Sequence, residues 1–328
     1  MTVWTGRRVL VTGAGGFIGS HVAERFVTLG ATVRAFVRYT GSGSWGWLDE
    51  SPLRGDMEVV AGDVTDAEGV RQAMRGSEVV CHLAALIAIP YSYRAALSYL
   101  RTNVEGTLNV LQAARELDGV RVVHTSTSEV YGTARYVPID EAHPVHGQSP
   151  YSATKIGADK LAEAYHLSHG LPVVIVRPFN TFGPRQSARA IIPTIITQAL
   201  TQPTVKLGNL HPTRDLTFVT DTADGFALAA ASQDAVGRTV NLGTGTEVSV
   251  EQLARTIAGM LGTTLSIEQD TDRVRPAGGE VDRLLSDNTL ARQLLGWKPG
   301  VTLEEGLQRT IAWVRAHLGR YRPGAYAI

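Results

Sequence analysis

The chain has 328 residues with ordinary hydrophobic content (44%), enough to bury a substantial core. Its 31 basic and 31 acidic residues cancel, so no overall charge draws it to nucleic acid or an anionic membrane, and no apolar run approaches a membrane span. A single cysteine, Cys81, excludes an intrachain disulfide and a tetrathiolate metal site. It reads as a buried core thiol. The first residues enter a strand almost at once, so no secretory leader is expected, and a reducing cytoplasm is the expected compartment.

Short apolar runs alternate with helix-length patterns through the first half. Arg8–Thr12 reads as a strand, Phe17–Leu29 as a helix and Thr32–Val37 as a strand. Strands at Met57–Ala61 and Glu78–Leu83 flank a helix near Ala67–Arg75. One long helix is expected over Tyr93–Leu117, a strand at Arg121–Thr125, a helix at Pro150–Ser168 and a strand at Pro172–Arg177. This alternation predicts an α/β fold with a doubly wound parallel sheet of the Rossmann type. After Arg177 the pattern loosens into helices at Ile191–Leu200, from Thr222, at Val250–Leu261 and at Leu303–Leu318, with strands at Leu216–Val219 and Thr239–Leu242. These predict a smaller interleaved C-terminal lobe. The expected division gives residues 1–180 and about 214–245 to a dinucleotide-binding domain, and 181–213 and 246–328 to a substrate lobe. Gly41-Ser42-Gly43-Ser44 reads as a mobile loop.

The turn Gly13-Ala14-Gly15-Gly16-Phe17-Ile18-Gly19 joins the first strand to the first helix. Glycines there let the backbone approach a pyrophosphate at the helix start, so NAD or NADP is the expected cofactor. The second strand ends Ala35-Phe36-Val37-Arg38, with an arginine and no acid, which tilts the reading toward NADP. Asp63, before Val64, either holds the adenine edge or caps the next helix. Trp45 and Trp47 either cover the adenosine or pack on the surface.

Tyr151 and Lys155 stand four apart at a helix start and share one face. An ammonium beside a phenol is expected to lower its pKa toward working pH, letting the phenolate take a hydroxyl proton. His82 reads as packing, and His143 and His146 are too loosely spaced for zinc. No metal is expected. The helices at 93–117 and 151–168 both carry apolar stripes. Their pairing between two copies would make a homodimer with a four-helix core.

With these motifs on the page, the chain resembles the extended short-chain dehydrogenase/reductase family over nearly its whole length. The resemblance rests on Gly13–Gly19, Leu83-Ala84-Ala85, Asn103 to Thr107, Ser126-Thr127, Tyr151/Lys155 and Arg177-Pro178-Phe179-Asn180. It implies that Thr127 bonds the reacting hydroxyl and that Asn103 supports a proton relay. It also places Asn180, Arg189, Arg214 and Arg275 at the substrate and Pro178 at the cofactor, while Tyr91, in the loop after Leu83-Ala84-Ala85, either overhangs the sugar or does not touch it. Within the family, Ser126-Thr127-Ser128-Glu129 resembles nucleotide-sugar 4,6-dehydratases, above all those acting on GDP-sugars. Glu129 would abstract the C5 proton after oxidation at C4. Where related dehydratases carry an Asp-Glu pair, Ser128 replaces the Asp. Glu129 must then protonate the leaving hydroxyl itself, or Ser128 must relay a proton. A 4-epimerase, a uronate decarboxylase and a non-catalytic dinucleotide sensor are the alternatives.

Overall fold

A computed structural model describes residues 2–274 and 277–321. Seven strands form one sheet: β1 (Arg8–Thr12), β2 (Thr32–Arg38), β3 (Met57–Gly62), β4 (Val79–His82), β5 (Arg121–Thr125), β6 (Val173–Pro178) and β7 (Thr239–Leu242). Every pairing in it is parallel, and the spatial order is 3-2-1-4-5-6-7. The order reverses between β1 and β4. Their carboxyl ends therefore open a crevice where a ligand meets backbone from both halves.

Helices cover both faces, which is why β4 and β6 are buried at every position. On one face α1 (Phe17–Thr28) and α6 (Val219–Ala231) pack around Phe26, Ala223 and Phe226. On the other lie α2 (Ala67–Met74), α3 (Gly106–Glu116) and α4 (Pro150–His169), around Met74, Leu111 and Ala162. The C-terminal segments build a separate core. There α5 (Ile191–Thr201), α7 (Val250–Leu261) and α9 (Leu303–Ala316) bury Ile195, Ile257 and Leu307, while α8 (Thr289–Leu295) returns to the first core through Ala291 and Leu295.

The expected helix over 93–117 is broken. Short helical pieces at Ile89–Ser92 and Ala96–Tyr99 lead into a π-helical turn at Leu100–Glu105, and only then does α3 begin. The wide turn accommodates Asn103, whose amide is bound to the backbone of Leu86 rather than left at a helix surface. Gly106 follows because Val64 lies where its side chain would be, with Cγ2 2.8 Å from an added Cβ. The apolar stripes read from sequence are used inside the chain. Val110, Leu111 and Ala114 of α3 and Ala162 of α4 face the sheet, while Leu97, Leu100 and Leu167 remain exposed.

Several short strands, among them Asn180–Phe182, Thr204–Leu207 and Ser266–Gln269, have no counterpart in the sequence reading. The strand at Leu216–Phe218 pairs with Asn180–Phe182 outside the main sheet.

Candidate active site

The glycine turn is built from close backbone contacts. A Cβ on Gly19 would lie 2.1 Å from the Gly13 carbonyl oxygen, and one on Gly13 would lie 2.8 Å from the Ala84 nitrogen. Gly13 also has φ +70, a conformation that favours glycine. Gly16 caps α1 without any side-chain hydrogen bond. The first-turn amides, including those of Phe17 and Ile18, have no partner within the helix, as at any helix start, and are free to bind an anion. Thr12 Oγ1 accepts from the Leu83 and Ala84 amides (3.1 and 3.2 Å), so the segment Leu83-Ala84-Ala85 is held across the crevice from the turn. These features fit a pyrophosphate.

The flanking candidates divide. Arg38 stands exposed at the end of β2, and Pro178 is buried at the end of β6. Asp63 is not a helix cap. Its carboxylate accepts from Thr65 N and Oγ1 (2.9 and 2.8 Å), and Asp66 caps α2 instead. The Val64 side chain belongs to the core beneath Gly106. The segment after the glycine–serine loop clasps the turn: Trp47 N donates to the Gly15 carbonyl at 3.0 Å, and a Cβ on Gly15 would meet the Trp45 carbonyl at 2.6 Å. Trp47 then meets Trp313 edge-on and lies under the Arg320 guanidinium.

Helix α4 begins with a reciprocal Ser149–Ser152 capping box and Pro150 in its first turn, which fixes where Tyr151 emerges. Tyr151 and Lys155 are both buried, at 7% and 4% exposure. Thr127, at the end of β5, is hydrogen-bonded to Tyr151 and also accepts from Glu129 N at 3.2 Å. Ser128 and Glu129 lie on the 3-10 turn Ser128–Tyr131, and the Glu129 carboxylate is close enough to act electrostatically on the Tyr151 phenol.

The expected lowering of the Tyr151 pKa by its lysine neighbour is not found. Burial pushes the phenol well above its ordinary value, and the hydrogen bond from Thr127 offsets this only in part. Lys155 donates instead to the Thr125 carbonyl at 2.5 Å. Burial lowers its pKa from 10.5 to about 8, with Asp159 opposing.

Asn103 is a brace in this structure. Its side chain bonds Leu86 N (2.8 Å), Leu86 O (3.0 Å) and Thr154 Oγ1 (3.1 Å), and its carbonyl accepts from Thr107 Oγ1 at 2.6 Å. His82 continues the brace, since it lies between Thr12 Oγ1 (2.8 Å) and Thr107 Oγ1 (3.1 Å).

Of the expected substrate residues, Asn180 presents a buried Oδ1 without a hydrogen-bond partner, a ready acceptor site. Tyr91 is 39% exposed and stacks at a tilt on Tyr99, which meets Tyr151 edge-on. Arg189 is exposed beside Ser187. Arg214 is half-buried, with Nη2 3.7 Å from Glu280, a carboxylate the sequence reading did not single out. Arg275 lies outside the described residues. Among the described residues no group of His, Cys, Asp and Glu is arranged to hold a metal, and no helix is long and apolar enough to cross a membrane.

Residues 10–310 match the GDP-mannose 4,6 dehydratase family. The chain is similar to a UDP-glucose 4-epimerase from Mycolicibacterium smegmatis, at 36% identity over 94% of this chain and 98% of that one. It is similar also to a dTDP-glucose 4,6-dehydratase from Streptomyces griseus, at 35% identity over 96% of each. The structure of DesIV, a dTDP-glucose 4,6-dehydratase from Streptomyces venezuelae solved with NAD bound, superposes with a TM-score of 0.88 at 32% identity, covering 96% of this chain and 99% of that one. Motifs, parallel sheet and relatives agree: the chain belongs to the GDP-mannose 4,6 dehydratase family, within the extended short-chain dehydrogenase/reductase group of nucleotide-sugar dehydratases and epimerases.

Proposed function

We propose that this protein is a nucleotide-sugar 4,6-dehydratase, with a GDP-sugar as the preferred substrate. The observation that carries the reading is Glu129: a carboxylate on the turn directly after Thr127, within electrostatic reach of the Tyr151 phenol. A nicotinamide dinucleotide held on the glycine turn would take a hydride from C4 of the sugar and later return it to C6. The chain's own groups handle the protons. Thr127 holds the C4 hydroxyl and Tyr151 Oη removes its proton. Because burial keeps the resting phenol protonated, this needs positive charge beside it. The Lys155 ammonium, four residues along the same helix face, and the oxidised nicotinamide ring, when bound, would supply that charge. With C4 a ketone, the C5 proton is acidic and Glu129 takes it. The same carboxyl then protonates the departing C6 hydroxyl, with Ser128 the buried neighbour able to relay, and C5 takes a proton from solvent as the hydride is returned to C6. Asn180 and Arg214 would hold the nucleotide. Arg38 would pair with a 2′-phosphate, favouring NADP. Two copies would associate through α4, where Leu167 is exposed, and the helical segments leading into α3, where Leu97 and Leu100 are exposed.

A 4-epimerase is the second reading. It is favoured by Ser128, where an acid for the C6 oxygen would otherwise stand, and by the likeness to the M. smegmatis epimerase.

The test is turnover on GDP-, UDP- and dTDP-hexoses and the corresponding nucleotide-linked uronates, followed by mass spectrometry. Loss of one water, with a product absorbing in alkali, is expected. An unchanged mass with inverted C4 would replace the reading with epimerisation, and carbon dioxide release from a uronate would replace it with decarboxylation. Glu129→Gln is expected to cost about 10²–10⁴-fold in dehydration. Undiminished dehydration in that variant would refute the role given to Glu129.

A further inference from the structure

Behind the site lies a buried ion pair that the chemistry above does not use. Asp159 and Arg177 have side chains 4% and 8% exposed, with Arg177 Nη2 3.0 Å from Asp159 Oδ2. The cost of stripping water from two charges largely cancels their attraction, so stability alone does not account for such a pair. Its connections do.

Asp159 stands one helical turn beyond Lys155 and two beyond Tyr151 on α4. Its Oδ2 accepts from Ser126 Oγ at 2.6 Å, and Ser126 immediately precedes Thr127. Its Oδ1 accepts from His124 Nε2 at 3.2 Å, on the same strand. Arg177, from β6, donates through Nη1 to Tyr131 Oη at 2.9 Å, and Tyr131 ends the turn that carries Ser128 and Glu129. Tyr131 in turn donates to Asn241 Oδ1 on β7 at 2.8 Å. The helix, the strand end and the turn that carry every proposed proton-handling group are thus pinned to one carboxylate–guanidinium pair.

We infer that Asp159, with Arg177 as its counter-ion, is a positioning residue for this reaction: it locks Thr127, the Tyr151–Lys155 pair and Glu129 into one register and supplies the negative charge that faces Lys155. The inference rests on the roles given above to Tyr151 and Lys155. Lys155 is surrounded by groups that do not replace that charge. His82 on β4 and His124 on β5 are held below the ordinary imidazole range by burial and remain neutral. Arg177 on β6 is positive, and Tyr151 is a neutral phenol at rest. Asp159 raises the Lys155 pKa against burial, and it is itself held at about 2: burial opposes its charge, but His124, Arg177 and Lys155 outweigh burial.

The test uses Asp159→Asn and Ser126→Ala in the full chain, with thermal unfolding as the check on folding. The chain has only four lysines, so Lys155 can be titrated by NMR on lysine-labelled protein and assigned with Lys155→Met. In Asp159→Asn, kcat is expected to fall at least about tenfold with KM little changed, as misplacement of reacting groups does. The alkaline limb of kcat and the Lys155 titration both move to lower pH, by about one pH unit. In Ser126→Ala, kcat falls while the Lys155 titration stays in place. A folded Asp159→Asn protein with either wild-type kcat or an unmoved Lys155 titration overturns the inference. If that variant does not fold, wild-type kcat in Ser126→Ala overturns it. Full activity in Tyr151→Phe would instead defeat the functional reading, while the lysine titration, which needs no turnover, still judges the role of Asp159.

Discussion

Replacing Gly19 with alanine tests the glycine turn where its geometry is tightest. The added Cβ would lie 2.1 Å from the Gly13 carbonyl oxygen, 2.8 Å from its carbon and 3.1 Å from the Ala14 Cα, all of them backbone atoms. An ordinary carbon–oxygen contact is roughly 1 Å longer, so α1 must withdraw from β1 by about that distance. Overpacking of this kind costs about 1–3 kcal/mol. It would also retract the α1 amides from the pyrophosphate that this turn fits, so dinucleotide affinity is expected to fall with stability. Gly259 supplies the contrast: it lies within α7 with nothing inside 4 Å of an added Cβ. There the same substitution gains helix propensity and is expected to stabilise by about 0.5–1 kcal/mol. Chemical denaturation gives both stabilities, and fluorescence titration with NAD and NADP gives the affinities. A Gly19→Ala protein as stable as wild type, binding dinucleotide equally well, would refute the reasoning.

Other substitutions probe separate parts of the account. Lys155 has a folded pKa of about 8, below its ordinary 10.5. Between these limits the unfolded chain holds the extra proton, so stability should rise with pH from about 8 until tyrosines begin to ionise near 10. Lys155→Met should flatten that rise while abolishing turnover; pH-dependent denaturation checks both slopes. Arg38→Asp should reverse a preference for NADP over NAD by at least about tenfold, roughly 1.4 kcal/mol, in paired titrations. Asn103→Ala removes three hydrogen bonds between the π-helical turn, Leu86 and Thr154. Leaving those buried backbone groups unpaired should cost about 2–4 kcal/mol in unfolding free energy.

The sheet was legible because its strands carry their own signal: β1, β5 and β7 begin and end where apolar runs meet polar or glycine punctuation. The glycine turn was legible for a related reason, since a turn that needs positive φ and backbone contact leaves glycines in the sequence. The break before α3 was not. Its cause is the pairing of Asn103 with Leu86, seventeen residues away, and helix periodicity does not register it. Short strands such as Thr213–Arg214 escaped because their partners lie far along the chain, at Val248–Ser249 and Arg283–Leu284. At the site, the tyrosine–lysine spacing placed two side chains on one helix face but not their charge states, which depend on burial. Asp159 could have been found from sequence by carrying that four-residue spacing one step further along the same face. Arg177 was noticed only as part of a motif, because its partner stands on a different element.

Isotope transfer addresses the central claim most directly. A GDP-hexose deuterated at C4 is incubated with the protein, and the product is analysed by NMR and mass spectrometry. A dehydratase that stores the hydrogen and returns it within one site yields a 4-keto-6-deoxy sugar with deuterium at C6. Deuterium retained at C4 of an inverted sugar, or a dehydrated product with solvent hydrogen at C6, would contradict the account.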